Sequence, residues 1–263
     1  MRLIITLLSL LPLSVFGQQP YPGANERPPT MEEMLSVKET FRYEIKFGFF
    51  KLGRVDVTLQ SDTLYNGSMH KHLLAIIRTN SKLPLVGTEH NEYNSLFTLN
   101  DSGYPVTSLY WKDDVDENLS HEIVYKFERD SGFVTYKEED NTRDTLSLVE
   151  PATAGEVIFY FSRLFAGSDS TFRLPVYVTR KLGYIIGKNS KEVEFRNYPA
   201  FDKPILAYKL EGSTEDIDGP FNFSGDFRAW FLADDLRVPL EARVRVFIGN
   251  VMVKLVEYKR EEL

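Results

Sequence analysis

The chain has 263 residues, 43% of them hydrophobic and 26% charged, a balance that gives one large domain an ample core. Its formal charge of −7, with no Lys/Arg cluster beyond alternating positions, argues against a nucleic-acid backbone as partner, which needs a basic face. The lack of cysteine excludes disulfides, thiol nucleophiles and lipid attachment through a lipoprotein cysteine, so the fold rests on its core alone.

Met1-Arg2, the apolar run Leu3 to Phe16 and Gly17-Gln18 give the basic start, short apolar middle and small residue of a secretory signal peptide, residues 1–17. The run falls short of the roughly 20 apolar residues that a membrane-spanning helix needs. Residues 18–36 read as a flexible leader. Its first part, 18–30, is rich in Pro, Gly and polar residues, and the capping box Thr30/Glu33 then opens a short helical turn to about Val37.

Residues 37–260 read as a single β-rich domain, in keeping with 19 Phe and 14 Tyr, whose flat rings suit a pleated surface. Phe41, Tyr43, Ile45 and Phe47 alternate with polar residues, and Val55, Val57 and Leu59 do so after Lys51-Leu52-Gly53, which makes a first hairpin. Further strands are predicted over 70–80, 88–99, 104–112, 119–128 and 133–138, bounded by turn residues such as Asn66-Gly67 and Asp130-Ser131-Gly132. One principal helix is predicted over about 153–166. Thr153 and Glu156 form a capping box there, and Val157, Ile158, Phe161, Leu164 and Phe165 recur at helical spacing. Strands resume over 172–179, 184–188, 191–197 and 205–212.

The run Gly225 to Tyr258 reads as three antiparallel strands. The dipeptide Gly249-Asn250 suits a two-residue hairpin loop, which sets Ile248 opposite Val251, Val246 opposite Val253 and Val244 opposite Leu255 on one core-facing side. The other side pairs Phe247 with Met252, Arg245 with Lys254 and Arg243 with Val256. The fold expected is therefore mainly β: a large antiparallel sheet curved into an open barrel or half-barrel, with one principal helix.

The aromatic-Trp strand, the turn with Asp234 and Asp235, Leu236-Arg237-Val238-Pro239, the basic alternating strand and Ile248-Gly249-Asn250-Val251 resemble the C-terminal signature of the bacterial exported family called domain of unknown function 3108. Phe41 to Gly48 with Lys51 to Val55 is similar to that family's opening hairpin. The likeness covers roughly residues 37 to 258 and consists of turn and strand signals. It implies export and placement in the envelope, and it supplies no catalytic residues.

Sharper motifs each have a plainer reading. His70 and His72 share one face of a strand at a spacing that can chelate a metal, but no third ligand is near in sequence. Asp114, Asp116, Asn118 and Ser120 mimic the early oxygen ligands of a calcium loop, yet Leu119 and Tyr125 stand where the glycine and the bidentate glutamate belong. Gly183 to Asn189 imitates a phosphate loop one residue short and lies in a strand. Asp234, Asp235 and Glu241 offer an acid/base pair of the glycosidase kind, while turn formation explains the first two more simply.

No catalytic, cofactor-binding or metal residue is therefore assigned. Trp230, Phe247 and the other alternating aromatics either fill an ordinary core or line a hollow for an acyl chain. The function expected is that of an exported, non-enzymatic protein of the bacterial periplasm with a binding or assembly role, its partner an apolar small molecule, a lipid or an envelope protein. The alternatives are a hydrolase of envelope polysaccharide and an outer-membrane barrel or structural component. The charges Arg243 and Arg245 on the non-core side disfavour the barrel.

Overall fold

Alternation at period two commits almost every stretch to a pleated strand with one apolar side. The computed structural model describes residues 23–79, 90–217, 225–246 and 249–262. After a short helix α1 (Met31–Leu35), the first half contributes β1 (Val37–Phe47), β2 (Phe50–Leu59), β3 (Thr63–Tyr65), β4 (Ser68–Thr79), β5 (His90–Leu99), β6 (Pro105–Asp114) and β7 (Leu119–Glu128). Then come β8 (Phe133–Lys137) and β9 (Arg143–Ser147), a helical segment that contains α2 (Ile158–Phe161), and β10 (Thr171–Val178). The second half runs through β11 (Lys181–Arg196), β12 (Ile205–Glu215), β13 (Asp226–Leu232), β14 (Pro239–Val246) and β15 (Gly249–Glu262).

These strands form one antiparallel 15-stranded sheet in the order β10-β11-β12-β13-β14-β15-β1-β2-β4-β5-β6-β7-β8-β9, with β3 attached to β4. The sheet is a meander in two halves, joined where β15 pairs with β1 from Val37↔Glu262 to Phe47↔Val251. Its edges, β9 and β10, are consecutive in the chain, so the connection between them must pass from one edge to the other.

That connection shows how the sheet curls. Ala152 accepts the Thr107 amide of β6 at 3.1 Å, and the Thr107 hydroxyl accepts the Ala154 amide at 3.1 Å. Thr153 meanwhile makes a parallel bridge to Val176 of β10. Residues 152–154 thus strap β6 to β10 across the gap. Tyr177 of β10 also packs with Tyr125, Phe127, Val134 and Tyr136 of β7 and β8. The ladder stays open while side chains and the strap bring its two halves together. The expected open barrel with antiparallel strands is what the chain adopts.

Four local expectations change. The hairpin between β14 and β15 does not turn at Gly249-Asn250: Val246 opposes Gly249, Arg245 opposes Asn250, Val244 opposes Val251 and Arg243 opposes Met252. Gly249 is instead a strand residue at φ +121°, where a Cβ would come 2.9 Å from the Phe47 ring, so close approach to β1 is what requires glycine. Because the two registers differ by an even number of residues, Val251 and Leu255 keep their buried side. Ile248, with Phe247, lies outside the described residues, as does the signal peptide.

The helix predicted over 153–166 is shorter and mixed: a 3₁₀ turn at Gly155–Val157, then α2, then a 3₁₀ turn at Ser162–Leu164. No capping box forms there, because the Thr153 hydroxyl meets that of Thr107 at 3.1 Å and the Glu156 carboxylate accepts from Ser95. The box at Thr30/Glu33 does form, and α1 buries Met31 and Met34 in the core. From Gly23 onward the leader is tied down. The Asn25 amide donates to Ala233 at 2.9 Å, its carbonyl accepts from the Tyr208 hydroxyl at 3.0 Å and from Arg237, and Pro29 is buried.

The predicted strands at 184–188 and 191–197 are one strand, β11, with an irregularity between Asn189 and Val193. The short strands β3 and β9 have too few residues to show an alternation.

Candidate functional site

Five ladders separate β2 from β12 in the sheet order, which in a flat sheet would place them roughly 24 Å apart. Yet Val57 of β2 and Leu210 of β12 line one cavity of about 330 Å³. The sheet has therefore curled round it. Ala75 and Ile77 of β4, Ala229 of β13 and Val253 of β15 complete much of the wall, and Ile158, Phe159 and Ser162 of the helical segment form the floor. Aromatic contacts hold that floor in place. The Phe159 ring meets Phe41 edge-on at 4.8 Å and Tyr43 at 6.1 Å, and Phe161 meets Phe172 at 5.4 Å.

Three roomier hollows lie among the described residues, one of about 720 Å³ against Arg180, Lys181 and Asp216, one of about 860 Å³ against Glu211, Arg228, Arg243 and Arg245, and one of about 470 Å³ against Lys126, Lys137, Arg143 and Asp144. All three have charged walls. The lining of the cavity of about 330 Å³ is instead almost wholly apolar.

Among the described residues, Glu156 in its wall has a serine, not a cation, as partner: Ser95 Oγ donates to its carboxylate at 3.1 Å. Burial pushes its carboxyl up to about 7, against the lowering effects of a backbone hydrogen bond and of Ser95. The surface it retains is accounted for by its place in the cavity wall. Tyr110 lies beside it, and burial, then the Glu156 charge, holds the phenol well above its usual range. Gly155, at φ +57°, completes the corner. A Cβ there would lie 2.5 Å from the Tyr110 ring and 3.2 Å from Ser95 Oγ, so only glycine lets the segment seat Glu156 against Ser95.

A stability effect follows from the sign of that shift. The folded state holds a proton that the unfolded state releases, so the Glu156 contribution is fully present below about 4.5 and is lost as pH rises through about 7. Glu156→Gln removes this loss. It is expected to match the parent at about pH 4 and to exceed it by about 3 kcal/mol at pH 8 in urea denaturation. A parent curve flat across this window contradicts the assignment.

Of the residues singled out in the sequence, Trp230 and Glu241 reach the cavity wall, and the others lie elsewhere with occupations of their own. His70 meets Ser108 Oγ and the Ser68 carbonyl, each at 3.0 Å, and His72 meets Asn94 at 2.9 Å. Asp114 accepts the Glu117 amide in a turn, and Asp116 lies 3.4 Å from His90. Gly183 and Gly187 sit inside β11. Asp234 accepts backbone amides of Leu236, Arg237 and Val238, Asp235 pairs with Arg260 at 3.1 Å, and Glu241 pairs with Arg196 at 2.9 Å and Arg243 at 2.6 Å. The three carboxylates serve three separate contacts. Trp230 does reach the cavity wall, with Arg196 and Arg243 lying 4.1 and 5.0 Å from its ring centre. Glu156 and Ser95 were missed. The available signal was an acid within an otherwise apolar run, and the capping-box reading used it up.

No protein-family profile matches the chain, and no curated protein matches it at a significant level. Among solved structures, the fold is similar to the crystal structure of a β-barrel-like protein of domain of unknown function 1849 from Brucella abortus. The TM-score is 0.50 at 9% identity, over 90% of this chain and 100% of that one. A Bacteroides fragilis protein with a YmcC-like fold, a candidate exported protein, matches over 90% of this chain and 99% of its own at 8% identity, with a TM-score of 0.34. The first of these likenesses is one of fold, a barrel-like sheet. Among the described residues no helix is long and apolar enough to cross a membrane.

Proposed function

We propose that the chain is an exported, non-enzymatic binding protein of the bacterial periplasm, related to the domain of unknown function 3108 family, which holds an apolar small molecule or a single lipid inside its half-barrel. The observation that carries this reading is the cavity of about 330 Å³ between the curled sheet and its helical floor. Its volume lies in the range of small-molecule sites, and the combination of apolar walls with few polar groups is what such sites share. Glu156, held from behind by Ser95, supplies a polar end. A carboxyl poised near neutrality can donate to a carbonyl oxygen or accept from a hydroxyl, so a ligand with an apolar body and one hydrogen-bonding head fits best. The signal-peptide pattern of residues 1–17 supports export.

Solvent extraction of the natively exported protein, followed by mass spectrometry, is expected to release such a molecule in near-stoichiometric amount. Empty preparations from several hosts and detergents would overturn the proposal.

A further inference from the structure

The hairpin between β1 and β2 ends in a feature the cavity does not explain. Phe47 opposes Phe50 across a two-residue loop, Gly48-Phe49, in which Gly48 takes the positive φ (+55°) that such tight loops demand. The loop holds Phe49 at 104% and Phe50 at 61% exposure, two adjacent aromatic rings in water at the end of a narrow ribbon. Buried positions further down both strands could have taken such side chains, and a polar residue would serve a solvated turn better.

Beneath the tip the outer side of the sheet is basic, although the chain as a whole carries −7. Lys46 and Lys51 share the one carboxylate of Glu44, at 2.8 and 2.5 Å. Arg54 and Arg78 share the one carboxylate of Asp56, at 3.0 and 3.3 Å, and Arg42 reaches the same group at 2.7 Å. Lys254 stands opposite Glu44 on β15. Glu257 of β15 also meets Arg42, at 2.5 Å, yet among the described residues cations still outnumber carboxylates around the ribbon, directly behind the two rings.

We infer that the Phe49-Phe50 tip is a docking element for an anionic phospholipid surface: the rings enter the interfacial layer while the basic collar lies over the headgroups. Phenylalanine rings bury apolar area at the boundary between headgroups and acyl chains, and clustered Lys and Arg add attraction to anionic lipid. A protein partner fits less well. Two rings on a hairpin tip offer far less than the roughly 800 Å² per side of a stable protein interface, whereas a bilayer needs no complementary shape. Val55 and Ile77, opposite each other in β2 and β4, carry the cavity wall toward this same end of the sheet. Docking here would bring the cavity to the lipid, although the tip binds whether or not the cavity is filled.

The test is co-sedimentation of the full chain with phosphatidylcholine–phosphatidylglycerol vesicles and with pure phosphatidylcholine vesicles. The chain is expected to pellet with the anionic vesicles, less so at high salt and less so with the zwitterionic ones. F49S/F50S is expected to lower partitioning at least about tenfold while keeping the parent melting temperature and its binding of an apolar fluorescent probe. Phe195→Ser, at another exposed ring, is expected to change nothing. A parent that stays in the supernatant, an F49S/F50S variant that pellets like the parent, or equal pelleting with both vesicle types would overturn the inference. So would a dimer in size-exclusion chromatography that F49S/F50S abolishes, which would assign the tip to a second copy of the chain.

Discussion

Replacing Arg163 by alanine is expected to destabilise the protein by about 3–5 kcal/mol, because it strands a buried carboxylate. Arg163 and Glu39 are both fully buried, and the guanidinium grips the carboxylate with two bonds of 2.7 and 3.1 Å. Its third contact, from Nε to the Leu236 carbonyl at 2.8 Å, ties the helical segment to the turn before β14. In Arg163→Ala, Glu39 keeps, among the described residues, only the Tyr258 hydroxyl at 2.8 Å, and the Leu236 carbonyl loses this donor. The double variant Glu39→Gln with Arg163→Met is expected to lose less than Arg163→Ala alone, since it removes both charges. Urea denaturation measures all three proteins. A cost below about 1 kcal/mol for Arg163→Ala would show that the pair does not anchor the floor of the cavity.

How far the sequence led can be judged from particular residues. Phe41, Tyr43, Val55 and Val57 alternate without interruption, and the first hairpin and its core side follow from that alone. Thr30 and Glu33 act within one turn, so their box forms as read. Gly249 misled because its dipeptide is a turn signal only when nothing else needs a glycine there, and what needs it is Phe47, some 200 residues away in the chain. Thr153 and Glu156 failed for the same reason. Their side chains are taken by Thr107 and Ser95, from strands 46 and 61 residues earlier in the chain. Glu156 stood out only as an acid in an apolar run, and its raised proton affinity was not legible, because what lifts it is the closing of the sheet over it. The buried cations Arg163 and Arg237 were equally silent, since a lone arginine in a sequence reads as surface until its acceptors are assembled around it.

The second large effect concerns the cavity itself. Ala229 on β13 pairs with Leu210 and Ala242, lines the cavity and is only partly buried, so a larger side chain there would grow into existing space. In a packed core, added methylenes cost about 1–3 kcal/mol through strain. In an empty apolar hollow, the same atoms gain contacts. Ala229→Phe is therefore expected to keep or raise the melting temperature while weakening the binding of an apolar ligand by tenfold or more. A merely destabilised protein would lose both. Ala242→Leu, a smaller change on the neighbouring strand, is expected to shift both quantities in the same directions by less.

The decisive measurement is a titration of the full chain and of Ala229→Phe with a fluorescent long-chain fatty acid, alongside their melting curves. Saturable one-to-one uptake by the parent, with at least tenfold weaker uptake by an equally stable variant, is the result this account predicts. No uptake by the parent, or equal uptake by both proteins, would contradict it.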